Sequence, residues 1–352
     1  MNHRTTDPCY CGCALAEHGD GTLLSSTPTS SILGTGSCLP ERVVSNDEIG
    51  STCGVDDEWI RRKTGITSRR WIQPGQATSD LAVAAGQAAL EAADVRAADL
   101  SVIIVATSTP DRPLPPTACY VQQQLPDCHA TAFDVNAVCS GFLFAFAVGQ
   151  SLLQARGGYA LIIGADTYST ILNPTDRRTY PLFGDGAGAI VLGPGRPGAP
   201  TVYQVALHTD GAHADLIRVP GGGSRIPCAP GSHEEGLHYF TMEGRAVRTF
   251  VNTELPRRIE QFLRLTHTPR RSIDHFIPHQ ANKAMLDDLY PGLGLPYAVN
   301  HDTASMYGNT AAASIPLTLD HAVRAGKIAA GETVLFAGFG GGMAIGLGLV
   351  RW

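Results

Sequence analysis

The stretch DVNAVCSGF (134–142) leaves an apolar strand pattern, passes a short turn of small residues and enters FLFAFAVGQSLL (142–153), a long apolar helix pattern. Cys139 therefore stands at a helix N-terminus. There the unpaired amides and the positive end of the helix dipole stabilise a thiolate, the nucleophilic form of cysteine. Cys38, Cys119 and Cys128 lack that setting and read as structural thiols.

Working outward, the strand SVIIVAT (101–107) precedes this unit and the strand YALIIGA (159–165) follows it. A similar order returns in DHFIPH (274–279), the turn YGNTAAAS (307–314), a helix, and ETVLFAGFG (332–340). Short apolar runs alternating with helical stretches indicate layered α/β architecture. The repeat pairs Cys139 with Asn309, so two related halves share one site. The connector GPGRPGAP (193–200) marks the boundary, giving halves at 31–200 and 201–352. Residues 1–30 have the Ser, Thr, Gly and Asp content of a disordered extension. Cys9, Cys11, Cys13 and His18 lie in it, but the alternating spacing is not the CxxC of zinc sites, and no metal is expected.

The 352 residues are 43% hydrophobic and carry a formal net charge of -6, which argues against a nucleic-acid binder dependent on Lys and Arg. No run approaches roughly 18 uninterrupted apolar residues, and the N-terminus lacks a basic segment followed by an apolar core. The expectation is a soluble cytoplasmic protein that does not enter membranes. Nine cysteines, odd in number and unevenly spread, fit reduced thiols.

His279, in FIPHQAN (276–282), follows a short strand, where an imidazole can project into a cleft. Asn309 sits in a turn, where asparagine usually answers backbone geometry. Neither is diagnostic alone. Together, DVNAVCSGF, IPHQAN (277–282), YGNTAAASIP (307–316) and GFGGGMAIGLGLVRW (338–352) resemble signatures of β-ketoacyl-acyl carrier protein synthase III. FGDGAGAIVLG (183–193) and EWIRRKTGI (58–66) match that family too, so the resemblance runs from Ser31 to Trp352.

The resemblance implies a thiolase fold, five-layered αβαβα, usually in a homodimer, with no cofactor. It implies Cys139, His279 and Asn309 as a catalytic triad and the backbone amides of Cys139 and Gly341 as an oxyanion hole. An acyl-CoA would load Cys139. A malonyl thioester, delivered on acyl carrier protein, would then lose carbon dioxide, and His279 and Asn309 would hold the enolate while its carbanion took the acyl group.

The same resemblance places Trp59 beside the adenine of CoA and Lys63, where relatives often have Arg, near a phosphate. Arg177 belongs to a CoA-contacting stretch, Arg178 replaces a common glycine, and Gly244, Arg248 and Asn282 complete the substrate-binding set. Arg248 stands where an aromatic residue is frequent. Leu114 corresponds to the position that closes the partner subunit's acyl pocket, and being smaller than Phe it is expected to admit a longer or branched starter. Ala284 replaces a basic residue common in carrier-binding relatives, so docking of acyl carrier protein rests on compensation by Lys283. These departures favour a specialised polyketide-type pathway over housekeeping fatty acid synthesis. The competing readings are an acyltransferase passing the group from Cys139 to an alcohol or amine, and a non-catalytic subunit, whose mark would be loss of the nucleophile.

Overall fold

The structure is a computed structural model that describes residues 30–230 and 235–352; Cys9, Cys11, Cys13 and His18 lie outside the described residues. Ten strands divide into two five-stranded halves of the same order. In the first they run, side by side, Thr131–Val135, Leu100–Ala106, Tyr159–Asp166, Gly186–Pro194 and Ser30–Cys38. In the second the order is Val299–Asn300, His275–Pro278, Thr333–Gly340, Ala344–Arg351 and Thr201–Thr209. The halves meet where Ser31 pairs with Thr201.

Strand alternation assigns the layers. On the strand Leu100–Ala106, Ile103 and Val105 pack with the outer helices Thr78–Ala93 and Thr117–Gln124, through Leu81, Ala85 and Val121. Their neighbours Ile104 and Ala106 face inward, onto Phe142, Leu143 and Phe146 of the helix Gly141–Arg156. That helix and Ser314–Arg324 fill the middle, touching Ile277, Phe336 and Val350 of the second half from the other side. The outer helices Gly244–Leu265 and Lys283–Leu289 then cover Phe276, Leu335 and Leu347. Five layers result, and both sheet halves are covered on both faces, which is why their strands read as nearly continuous apolar runs.

By length and composition alone the stretch Val138–Arg156 could cross a membrane, which inspection for an unbroken apolar run missed. Its apolarity is explained by the middle layer, where a helix contacts protein on both sides. Close approach there depends on Gly164, where an added Cβ would come within 2.2 Å of the Ala312 carbonyl oxygen.

The structure adds one element to the sequence pattern and corrects one expectation. The second half has its own edge strand, Val299–Asn300, which at two residues carries no periodic signal. The matching turns are also offset from the expected pairing. Val138 and Ala311 hold equivalent left-handed positions, φ +48° and +47°, each just inside a short 3-10 turn leading to a middle-layer helix. Cys139 is therefore matched by Ala312, and Asn309 lies three residues earlier.

Candidate active site

The two turns and the end of the strand His275–Pro278 bring Cys139, Asn309 and His279 to the wall of one cavity of about 210 Å³. Cys139 is buried, and the backbone N–H groups of Cys139 and Gly341 face its sulfur. These are the two amides expected to form the oxyanion hole. Gly340 makes their approach possible, since a Cβ there would lie 2.6 Å from the Cys139 Cβ and 3.2 Å from its sulfur. Val138, a β-branched residue in a left-handed conformation, is strained by roughly 1–3 kcal/mol, and the packing around it sustains that turn.

The expectation of a resting thiolate is corrected. Burial drives the thiol's pKa far up, and the nearby Asp166 carboxylate adds to it; the two amides oppose both and lose. A charge at that sulfur has too little solvation, so the resting form is the thiol. Asp166 is itself fully buried. One of its oxygens accepts from Ser108 N–H (2.8 Å), Thr109 N–H (3.1 Å) and the hydroxyls of Thr107, Ser108 and Thr109; the other accepts from Ala312 N–H at 2.9 Å. It ties the first half to the turn that carries Asn309.

Asn309 is held by its backbone, which donates to Leu182 O (2.8 Å) and accepts from Gly184 N–H (3.0 Å). Its side-chain oxygen accepts from Ala311 N–H at 2.8 Å, so the amide NH2 is the end left for the cavity. His279, 2% exposed, lies at the end of the strand His275–Pro278, edge-on to Phe339. Burial pulls its pKa down to about 3, so the ring is neutral across the working range. Its Nδ1 meets the Ser314 hydroxyl at 2.8 Å.

Beyond the sulfur the cavity is closed by aromatic rings. Phe183 stacks on Tyr168 with centroids 4.6 Å apart, and Phe240 stands edge-on to Phe183 at 4.9 Å. Lys63, Gly244, Arg248 and Asn282 line the same cavity. Asn282 also caps the helix that follows it, accepting from Met285 N–H at 2.9 Å. Trp59 is half-buried away from the cavity lining, Arg177 is exposed outside it, and Arg178 lines an adjoining groove of about 1290 Å³ while paired to Asp176. Leu114 is 82% exposed and does not enter its own chain's cavity. Phe240 and Asp166 escaped sequence reading because they lie in no quoted motif, and Ser314 because, although inside YGNTAAAS (307–314), its contact with His279 spans 35 residues.

Models of the 3-oxoacyl-[acyl-carrier-protein (ACP)] synthase III family match residues 133–211 and, for its C-terminal part, residues 263–352. Acetoacetyl CoA synthase NphT7 of Streptomyces sp. (strain CL190) is 59% identical over 322 residues, covering 91% of this chain and 98% of that protein. The chain belongs to the synthase III family. Beta-ketoacyl-[acyl-carrier-protein] synthase III 3 of Streptomyces coelicolor is 42% identical, with coverage of 93% and 98%. The crystal structure of 3-oxoacyl-[acyl-carrier-protein] synthase III from Aquifex aeolicus VF5 superposes with a TM-score of 0.84 at 31% identity, covering 92% and 100%. This synthase III therefore has the thiolase fold, and it is an acyltransferase that works by decarboxylative Claisen condensation.

Proposed function

We propose that this synthase III joins a short acyl group, acetyl foremost, from acyl-CoA to malonyl-CoA, using Cys139, His279 and Asn309. The observation that carries the reading is the pair of amides, from Cys139 and Gly341, converging on a buried sulfur within a cavity shared with His279 and the free NH2 of Asn309.

Cys139 attacks the thioester carbonyl, the two amides hold the oxyanion, and the acyl group moves to sulfur. The thiol proton ends on the departing CoA thiol. Malonyl thioester then enters and its C–C bond to the carboxylate breaks. Carbon dioxide leaves, and the electron pair passes into an enolate whose oxygen accepts hydrogen bonds from His279 and Asn309. Neither donor needs to be charged, which suits a ring that burial keeps neutral. The enolate carbon attacks the acyl-cysteine carbonyl and the sulfur leaves as a thiolate, which takes a proton from solvent to return to the resting thiol.

In this chemistry the product stays on the extender's thiol. A relative named for making acetoacetyl-CoA therefore supports an extender carried on CoA. The cavity mouth supports the same choice. Lys283, the expected compensation for Ala284, pairs with Asp287 at 2.6 Å, and Arg248 pairs with Asp288. With acids of the helix Lys283–Leu289 paired to these two cations, they offer less to an acidic carrier protein, and Lys63 is the cavity-lining cation with no ion pair among the described residues. We assign the acyl carrier protein a secondary place, as an alternative extender carrier.

We further propose a homodimer in which the exposed Leu114 enters the partner subunit's cavity, and a division of the chain into halves at 31–200 and 201–352. Within one chain the Phe183–Phe240 wall argues for small starters, whereas Leu114 argues for room; an acyl-CoA series decides. Intact-protein mass spectrometry with acetyl- to hexanoyl-CoA, against Cys139→Ala, should show a Cys139-dependent acyl adduct. Adding malonyl-CoA or malonyl-acyl carrier protein should discharge it with release of carbon dioxide, faster from malonyl-CoA. Discharge only to an alcohol or amine would establish simple acyl transfer instead.

A further inference from the structure

His279 can donate to an enolate only if its hydrogen sits on the nitrogen facing the cavity. A neutral imidazole has one hydrogen for two nitrogens, so the partner behind the ring decides which one carries it. That partner is the Ser314 hydroxyl, at the start of the helix Ser314–Arg324 and 0% exposed. Among the described residues the hydroxyl makes one hydrogen bond, to His279 Nδ1 at 2.8 Å.

Two arrangements share that distance. If Nδ1–H donates to Ser314, the serine's own hydrogen has no acceptor in a dry interior, a costly omission. If Ser314 donates to Nδ1, both groups are satisfied. The Ala311 carbonyl also faces the ring; it accepts the Ser314 backbone N–H and has a second lone pair open to a ring N–H, so only the Ser314 hydroxyl discriminates between the two nitrogens. We infer that Ser314 is a positioning residue: its hydroxyl donates to Nδ1 and holds His279 in the Nε2–H tautomer, ready to donate to the extender's enolate oxygen. The inference rests on His279 acting as an enolate donor.

A consequence separates the two half-reactions. A ring with hydrogen on Nε2 has no lone pair there for the Cys139 proton, so Ser314 supports decarboxylation and not acyl loading. This agrees with the absence, among the described residues, of a hydrogen bond between His279 and the Cys139 sulfur.

The test begins with the wild-type full chain labelled with 15N-histidine, the His279 signals assigned by their loss in His279→Ala. An unprotonated Nδ1 and protonated Nε2, constant from pH 5 to 9, is expected; hydrogen on Nδ1 overturns the inference. Ser314→Ala should lower kcat for malonyl-CoA decarboxylation about tenfold or more, with KM and the rate of Cys139 acylation unchanged, and Ser314→Thr should restore it. Slower acylation with intact decarboxylation would likewise overturn it. A wild-type enzyme that acylates Cys139 yet never decarboxylates malonyl thioesters would remove the proposed function, while the tautomer would still be readable.

Discussion

Replacing Asp166 by asparagine keeps the side chain's shape while removing its charge and half of its acceptor capacity. Every hydrogen bond recorded for Asp166 comes from a donor: two N–H groups and three hydroxyls on one oxygen, Ala312 N–H on the other. Whichever way the asparagine amide turns, its NH2 faces an N–H. The loss is at least one charge-assisted hydrogen bond, about 1.5–3 kcal/mol, plus a buried N–H left unpaired, about 1–3 kcal/mol. A destabilisation of about 3–5 kcal/mol follows, a large share of the roughly 5–15 kcal/mol typical of a folded protein. Urea unfolding should show a lower midpoint at unchanged slope. The same substitution removes an anion that pushes the Cys139 thiol up, so iodoacetamide should alkylate Cys139 faster at a fixed pH near 8. A cost below about 1 kcal/mol with no gain in thiol reactivity would mean that Asp166 is protonated in the fold, and the reasoning would fail.

Gly340→Ala should abolish acylation by acyl-CoA, a loss of about a hundredfold or more, at a stability cost of about 1–3 kcal/mol, because its Cβ must displace Cys139; normal adduct formation in the mass spectrometer would refute this. Phe240→Ala should raise the ratio of kcat/KM for hexanoyl-CoA over acetyl-CoA by about tenfold or more, and an unchanged ratio would remove Phe240 from the specificity wall. Acid should destabilise the fold through its buried imidazoles. His279 and His301 have folded pKa values down to about 3 and about 4, below the usual 6.5, so their contribution is full above pH 6.5 and fades as pH falls toward 4. For His301 the limit is about 3 kcal/mol. Asp185, up to about 6, opposes this from about pH 6 down to the usual carboxyl range, as do the raised Asp134 and Asp166, while the lowered carboxyls of Asp57, Asp176 and Glu332 act with the imidazoles, and denaturant midpoints at pH 7.5, 5.5 and 4.5 should still fall in that order; a rising series would contradict the assignment.

Much of the fold was legible because its logic is local. Apolar runs such as SVIIVAT and YALIIGA lie within the strands Leu100–Ala106 and Tyr159–Asp166 to within a residue or two, since both faces of each are covered and the sequence shows it. Asn309 and His279 gained meaning only in company with Cys139. The resting state of that cysteine was misread because helix dipoles show in sequence, whereas burial and a carboxylate 27 positions away do not. The Lys283–Asp287 pair was open to view, at i,i+4 spacing on one helix. Arg248–Asp288, 40 residues apart, was not.

The twin left-handed bends at Val138 and Ala311 bear on how such an enzyme could arise. Two identical unfused subunits would present the same bend twice, and any residue acquired at one would appear at the other. Joining them in one gene breaks that constraint. One bend could then specialise in bond-making, as the site of the thiol, while its counterpart kept only a scaffold's duty of presenting an amide. The single reaction centre lies at the seam because only there do the turns of both halves meet.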